Sequence, residues 1–84
     1  MPEEELVSTT TRHDREAVEA VLLDAAERIG DGEITISDDE RSCSVAVPNT
    51  VELRREIERH VDPGTGRETM ELEFIVSWTE EATD

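Results

Sequence analysis

The stretch TMELEFIVSW, residues 69–78, constrains this chain more than any other. Met70, Leu72, Phe74, Val76 and Trp78 fall on one side of an extended backbone. Thr69, Glu71, Glu73 and Ser77 fall on the other, with Ile75 the exception. A period of two marks a strand that hides one face and wets the other. The single Phe and the single Trp of the chain both lie on the apolar side. Aromatic rings carry the largest apolar area per residue, so this strand is expected at the centre of the core.

The upstream elements follow from the same kind of pattern. Residues 6–11, with Val7 and three threonines, suit a short edge strand. Asp14 stands where a helix N-cap belongs, and Glu16 follows in the first turn, where a negative charge complements the helix dipole. Ala17, Val18, Val21, Leu22, Ala25, Ala26 and Ile29 recur at helical spacing as one apolar stripe. This predicts a helix over 15–29, closed by Gly30. Residues 33–37 alternate through Ile34 and Ile36, and residues 42–47 alternate through Cys43, Val45 and Val47. With the acidic turn Asp38-Asp39-Glu40 between them, they read as a hairpin.

Pro48-Asn49 then breaks the ladder and turns the chain. Residues 51–61 place Val51, Leu53, Ile57 and Val61 on one face together with Arg55 and Arg59. Glu52, Arg54, Glu56, Glu58 and His60 take the other face. Leu53, Ile57 and Val61 are also four apart, as a helix would have them. The nearby Pro48 and the partner strand at 69–78 favour β. Asp62-Pro63-Gly64-Thr65-Gly66 has the composition of a hairpin loop. The expected fold class is α+β: one helix packed on a four- to five-stranded, mainly antiparallel sheet, in the order β-α-β-β-β-β, as a single domain over 1–84 with flexible ends at 1–5 and 80–84.

Charge narrows the setting. The chain carries 23 Asp and Glu against 8 basic residues, a formal net charge of −15, and all the basic residues are Arg. Such an excess suits either a cationic partner or a cell interior of molar salt, where the screening length falls to ~3 Å. The acids are spread along the whole chain and Lys is missing throughout, which favours salt adaptation. No basic stripe exists to hold phosphates, so nucleic acid is not an expected partner. The acidic start and the lack of a long apolar run predict no signal peptide, no membrane partner and a cytoplasmic location.

Taken in order, these residues resemble the Amphi-Trp domain family, which is common in haloarchaea and found in bacteria. The resemblance rests on DREAVEAVLLDAAERI, on GDGEITIS, on VPNTVELRREIER, and on ELEFIVSW, whose tryptophan lies near the C-terminus. It spans nearly the whole chain. It implies the amphipathic sheet and a haloarchaeal source, and Trp78 matches the family's signature residue. It carries no catalytic residue with it.

Few residues invite chemistry. His13, His60, Asp62 and Cys43 lack the paired spacing of a structural zinc site, so no metal or other cofactor is expected. Cys43 alternates with Val45 and Val47 and reads as a small apolar side chain. Asp38-Asp39-Glu40 lacks the alternating ligands of a calcium loop. The candidate interaction residues are Trp78, either a plug at the end of the core or a contact residue, and Arg55 and Arg59. Those two arginines point with the apolar face and belong at a rim or a subunit boundary.

One helix covers only a strip of the apolar area that four strands supply. The expectation is therefore a non-catalytic interaction module that binds itself as a homodimer or binds a protein partner. The alternative is a small-ligand sensor or accessory domain with a pocket between helix and sheet. Polar groups converging inside an apolar pocket would mark that alternative.

Overall fold

The computed structural model describes residues 3–80. Its elements run α1 (Arg15–Asp31), β1 (Glu33–Ser37), β2 (Ser42–Ala46), β3 (Glu52–Val61) and β4 (Glu68–Ser77). They fall into two compact units, Met1–Asn49 and Thr50–Asp84.

The first unit is a helix on a hairpin. The Asp14 carboxylate accepts the Ala17 N–H at 2.8 Å, from an extended backbone at φ −75° and ψ 170°. That satisfies one of the donors a helix start leaves unpaired. Glu16 in the first turn and Arg28 in the last complement the dipole. The expected stop at Gly30 is corrected: α1 continues to Asp31, and the left-handed residue is Gly32, at φ 94°. The Gly32 N–H donates to the carbonyl oxygens of Arg28 and Ile29, which closes the helix. Whichever glycine turns left-handed ends the helix, and composition alone does not say which.

Strands β1 and β2 pair antiparallel, with Ile34 opposite Val45 and Ile36 opposite Cys43. Helix α1 packs on β1. Across the other face of the hairpin the Thr35 and Ser44 hydroxyls hydrogen-bond, and the Ser37 hydroxyl donates to that of Ser42 at 2.9 Å. The turn is organised by Asp38, whose Oδ1 accepts the N–H groups of Glu40 and Arg41 at 2.8 and 2.6 Å. Those two backbone donors, with help from the N–H of Ser8 and the Arg41 guanidinium, hold the Asp38 carboxyl below the usual carboxylate range.

The edge strand expected over 6–11 does not form. That segment is held by side chains of the turn rather than by a ladder. Ser8 N–H reaches Asp38 Oδ2 at 3.4 Å, and Arg41 Nη1 donates to the Glu5 carbonyl at 3.2 Å. Of the ends expected to be flexible, residues 1–2 and 81–84 lie outside the described residues.

The second unit is a ribbon of two ten-residue strands. The strand reading of 51–61 holds, and the helical alternative does not. The register runs unbroken from Glu52 opposite Ser77 to Val61 opposite Glu68. The loop closes through the Asp62 N–H to the Arg67 carbonyl at 2.9 Å and the Gly64 N–H to Asp62 Oδ1 at 2.8 Å.

The expected single sheet is corrected as well. The four strands form two separate two-stranded sheets, β1-β2 and β3-β4. Alternation fixes which side chains share a face, but it does not fix which strands are neighbours. Pro48 lacks an N–H for a ladder, and it falls where a continuous β2–β3 pairing would have to start. The expected core is missing too, since among the described residues no side chain is fully buried.

Candidate interaction face

The register of the β3–β4 ribbon sorts its side chains into two unlike faces. One carries Leu53, Arg55, Ile57, Arg59 and Val61 from β3, opposite Val76, Phe74, Leu72, Met70 and Glu68 from β4. The other carries Glu52, Arg54, Glu56, Glu58 and His60, opposite Ser77, Ile75, Glu73, Glu71 and Thr69.

Burial inverts the usual order. Ile57 and Leu72, directly opposite one another, are each 70% exposed, and Phe74 is 61% exposed. On the acidic face Glu56, Glu58 and Glu73 are half-buried. Monomers rarely leave a contiguous apolar patch of this kind in water. A two-stranded ribbon alone is at best marginally stable. The ribbon therefore has a face whose solvation is costly, and nothing within its own unit covers it.

The candidate residues all lie on or beside this face. Arg55 sits opposite Phe74 and Arg59 opposite Met70. Arg59 makes a loose ion pair with Glu68 at 4.0 Å. Among the described residues no carboxylate pairs with Arg55. Trp78 follows the end of β4, half-buried, and its Nε1–H donates to Glu80 Oε1 at 3.2 Å. The expected place of Met70, Leu72, Phe74 and Val76 at the heart of a core is corrected, because the first three line an open face and Val76 is only half-buried.

The acidic face is an ion-pair lattice. Glu56 lies opposite Glu73 and Glu58 opposite Glu71, two like-charged pairs in adjacent rows. Arg54 bridges part of this, with Nη2 at 3.7 Å from both Glu56 and Glu73. Glu73 nevertheless has its carboxyl pushed up, first by desolvation, then by its hydrogen bond to Glu56 and the charges of Glu58 and Glu56.

His60 Nε2 lies 3.1 Å from Glu58 Oε2 and 3.6 Å from Glu71 Oε1. The donor atoms of these three side chains fall within 4.8 Å of one another, close enough to share a cation. Three donors on an open surface fall one short of a structural zinc set. A hydrogen bond between His60 and Glu58 accounts for the closest contact of the grouping. This trio was not legible in the sequence, because Glu71 joins it only through the register.

The other residues weighed for metal chemistry have separate local roles. His13 hydrogen-bonds Thr11 at 2.7 Å. Asp62 is engaged with its own loop. Cys43 is a half-buried free thiol beside Ile36. The cleft between α1 and β1 is lined by Val21, Ala25, Ile34 and Ile36, with Asp24 and Arg28 at its margin. Those two charges answer each other at 3.7 Å.

No described helix is long and apolar enough to cross a membrane. The model of the Amphi-Trp domain family matches residues 1–84 of the chain. No curated protein and no solved structure matches it.

Proposed function

This chain belongs to the Amphi-Trp domain family, and from that premise we propose that it is a small, non-catalytic, salt-adapted interaction module. Its working surface is the apolar face of the β3–β4 ribbon. The observation that carries this reading is the pairing of Ile57 with Leu72, both 70% exposed, between Arg55 and Arg59 on one face. Burying such side chains recovers about 25 cal/mol per Å² of apolar surface. A protein surface is the fitting cover, because it can bury the aliphatic row and answer the two guanidinium groups together. The acids spread over the chain and the missing Lys support a cytoplasm of high salt as its setting. Trp78, just beyond β4, extends the same surface at its end.

Met70 lies on this face at 56% exposure and reports on it directly. In molar salt, peroxide is expected to oxidise Met70 several-fold more slowly in the associated wild-type protein than in a Leu72→Glu variant. Slow oxidation of Met70 in a chain that sediments as a monomer at every concentration would refute the reading, since the face would then be ordinary interior.

A further inference from the structure

Resting on that reading of the ribbon as a binding surface, we propose that its occupant is helix α1 of a second copy of this chain, exchanged reciprocally about a two-fold axis.

Helix α1 has an apolar surface left over. Ala17, Ala25 and Ile29 are half-buried in their own unit. Val18, Leu22 and Leu23 remain 43%, 52% and 62% exposed. Residues four apart form a row on a helix surface. One such row is Glu19, Leu23, Glu27, and the Val18–Leu22 row runs beside it.

The ribbon carries the complement in charge and in spacing. Along β3 the same-face sequence is Arg55, Ile57, Arg59, with an apolar residue between two cations. In α1 an apolar residue lies between two anions. Eight helical residues at a rise of ~1.5 Å set Glu19 and Glu27 ~12 Å apart. Four strand residues at ~3.4 Å set Arg55 and Arg59 ~14 Å apart. Leu23 then meets Ile57 and Leu72 while each guanidinium meets a carboxylate. Among the described residues neither Glu19, Glu27 nor Arg55 takes part in an ion pair, and Arg59 has only its loose one.

Ribbon packed on ribbon does not offer this match. About a two-fold axis near Ile57 it would set Arg55 of one copy against Arg59 of the other. Area points the same way. Ten paired positions make a face ~34 Å long and ~10 Å wide. The 17 residues of α1 span ~26 Å of that face, so reciprocal exchange gives two contacts and buries ~1,000 Å² in total, about what a specific interface must clear. A single ribbon–ribbon contact buries only ~700 Å².

The Val47 N–H is tied to the Gly32 carbonyl at 2.8 Å, and β3 begins at Glu52, so only residues 48–51 link the two units. Pro48 opens that link and fixes its φ. Short hinge loops are where exchange of an element between copies arises.

The test uses the full chain in molar salt with Cys43→Ser as background. One preparation carries Leu23→Cys and the other Ile57→Cys, and the two are mixed and mildly oxidised. The mixed disulfide is expected to exceed either homodisulfide by roughly tenfold, because the exchanged contact raises the effective concentration of that pair alone. Sedimentation is expected at twice the 9.4 kDa chain mass. The double variant Arg55→Glu with Arg59→Glu should weaken the dimer roughly tenfold or more, and adding Glu19→Arg with Glu27→Arg should restore it. Far-UV spectra of each variant check that α1 stays intact.

Dominant disulfides between two copies of the Ile57→Cys chain would overturn the proposal by showing ribbon on ribbon. A monomer whose Met70 oxidises freely would overturn it while leaving the face to a different protein. A monomer whose Met70 is protected would overturn both this proposal and the functional reading.

Discussion

Two glycines two residues apart should respond to the same substitution with opposite signs. Gly32 holds φ 94°, and an added Cβ would meet only the Val47 carbonyl oxygen at 3.9 Å, an ordinary contact. The cost of Gly32→Ala is therefore conformational. A left-handed L-residue loses about 1–2 kcal/mol. Gly30 lies inside α1 with nothing within 4 Å of its would-be Cβ, so Gly30→Ala meets no clash. It removes the entropic penalty of a helical glycine, worth about 0.5–1 kcal/mol, toward the low end this close to the helix terminus. At about 4–8 °C per kcal/mol for a domain of this size, Gly30→Ala should raise the helix melting midpoint by a few degrees and Gly32→Ala should lower it by about twice that. Thermal unfolding followed by far-UV circular dichroism in molar salt reads both. Equal destabilisation by the two, or a neutral Gly32→Ala, would show that the helix ends at Gly30 and that the capping argument is wrong. Gly32→Asn should fall between wild type and Gly32→Ala, since Asn tolerates the left-handed region.

Removing the cap with Asp14→Ala should cost about 1 kcal/mol in the same melt, and Asp14→Ser should recover most of it. Acid should act on the two units in opposite directions. The depressed Asp38 carboxyl contributes stability that is present above the ordinary carboxylate range and is lost as pH falls below about 4. The raised Glu73 carboxyl disfavours folding when charged, so the ribbon should firm up as pH falls toward the ordinary carboxylate range. Titrations of Asp38→Asn and Glu73→Gln followed by residue-resolved amide exchange should remove one trend each; a shared trend in both units would contradict the assignment. Leu72→Glu should abolish association while leaving the helical signal of α1 in the far-UV spectrum, and loss of helix in that variant would contradict the separation of face from fold.

Where a signal was local, it could be read along the chain. The Asp14 cap, the stripe from Ala17 to Ile29, the alternation through Ile34 and Ile36, and the ribbon around Asp62–Gly66 all depend on residues a few positions apart. The same alternation placed Arg55 and Arg59 on the apolar face, where the register has them. The Glu58–His60–Glu71 grouping depends on a partner from the opposite strand, and no spacing along one strand encodes that.

Outside residues 6–11, the sequence by itself determined which segments coil and which extend, and which side chains travel together on each face, because period, caps and turn residues act over one or two turns of chain. Only the tertiary structure decided that four strands divide into two ribbons and that the row from Met70 to Phe74 lies open. An alternating strand states that it has an oily side, and a dozen covers could satisfy it equally. Which cover it finds depends on the neighbours the backbone can reach past Pro48, and periodicity carries no information about those.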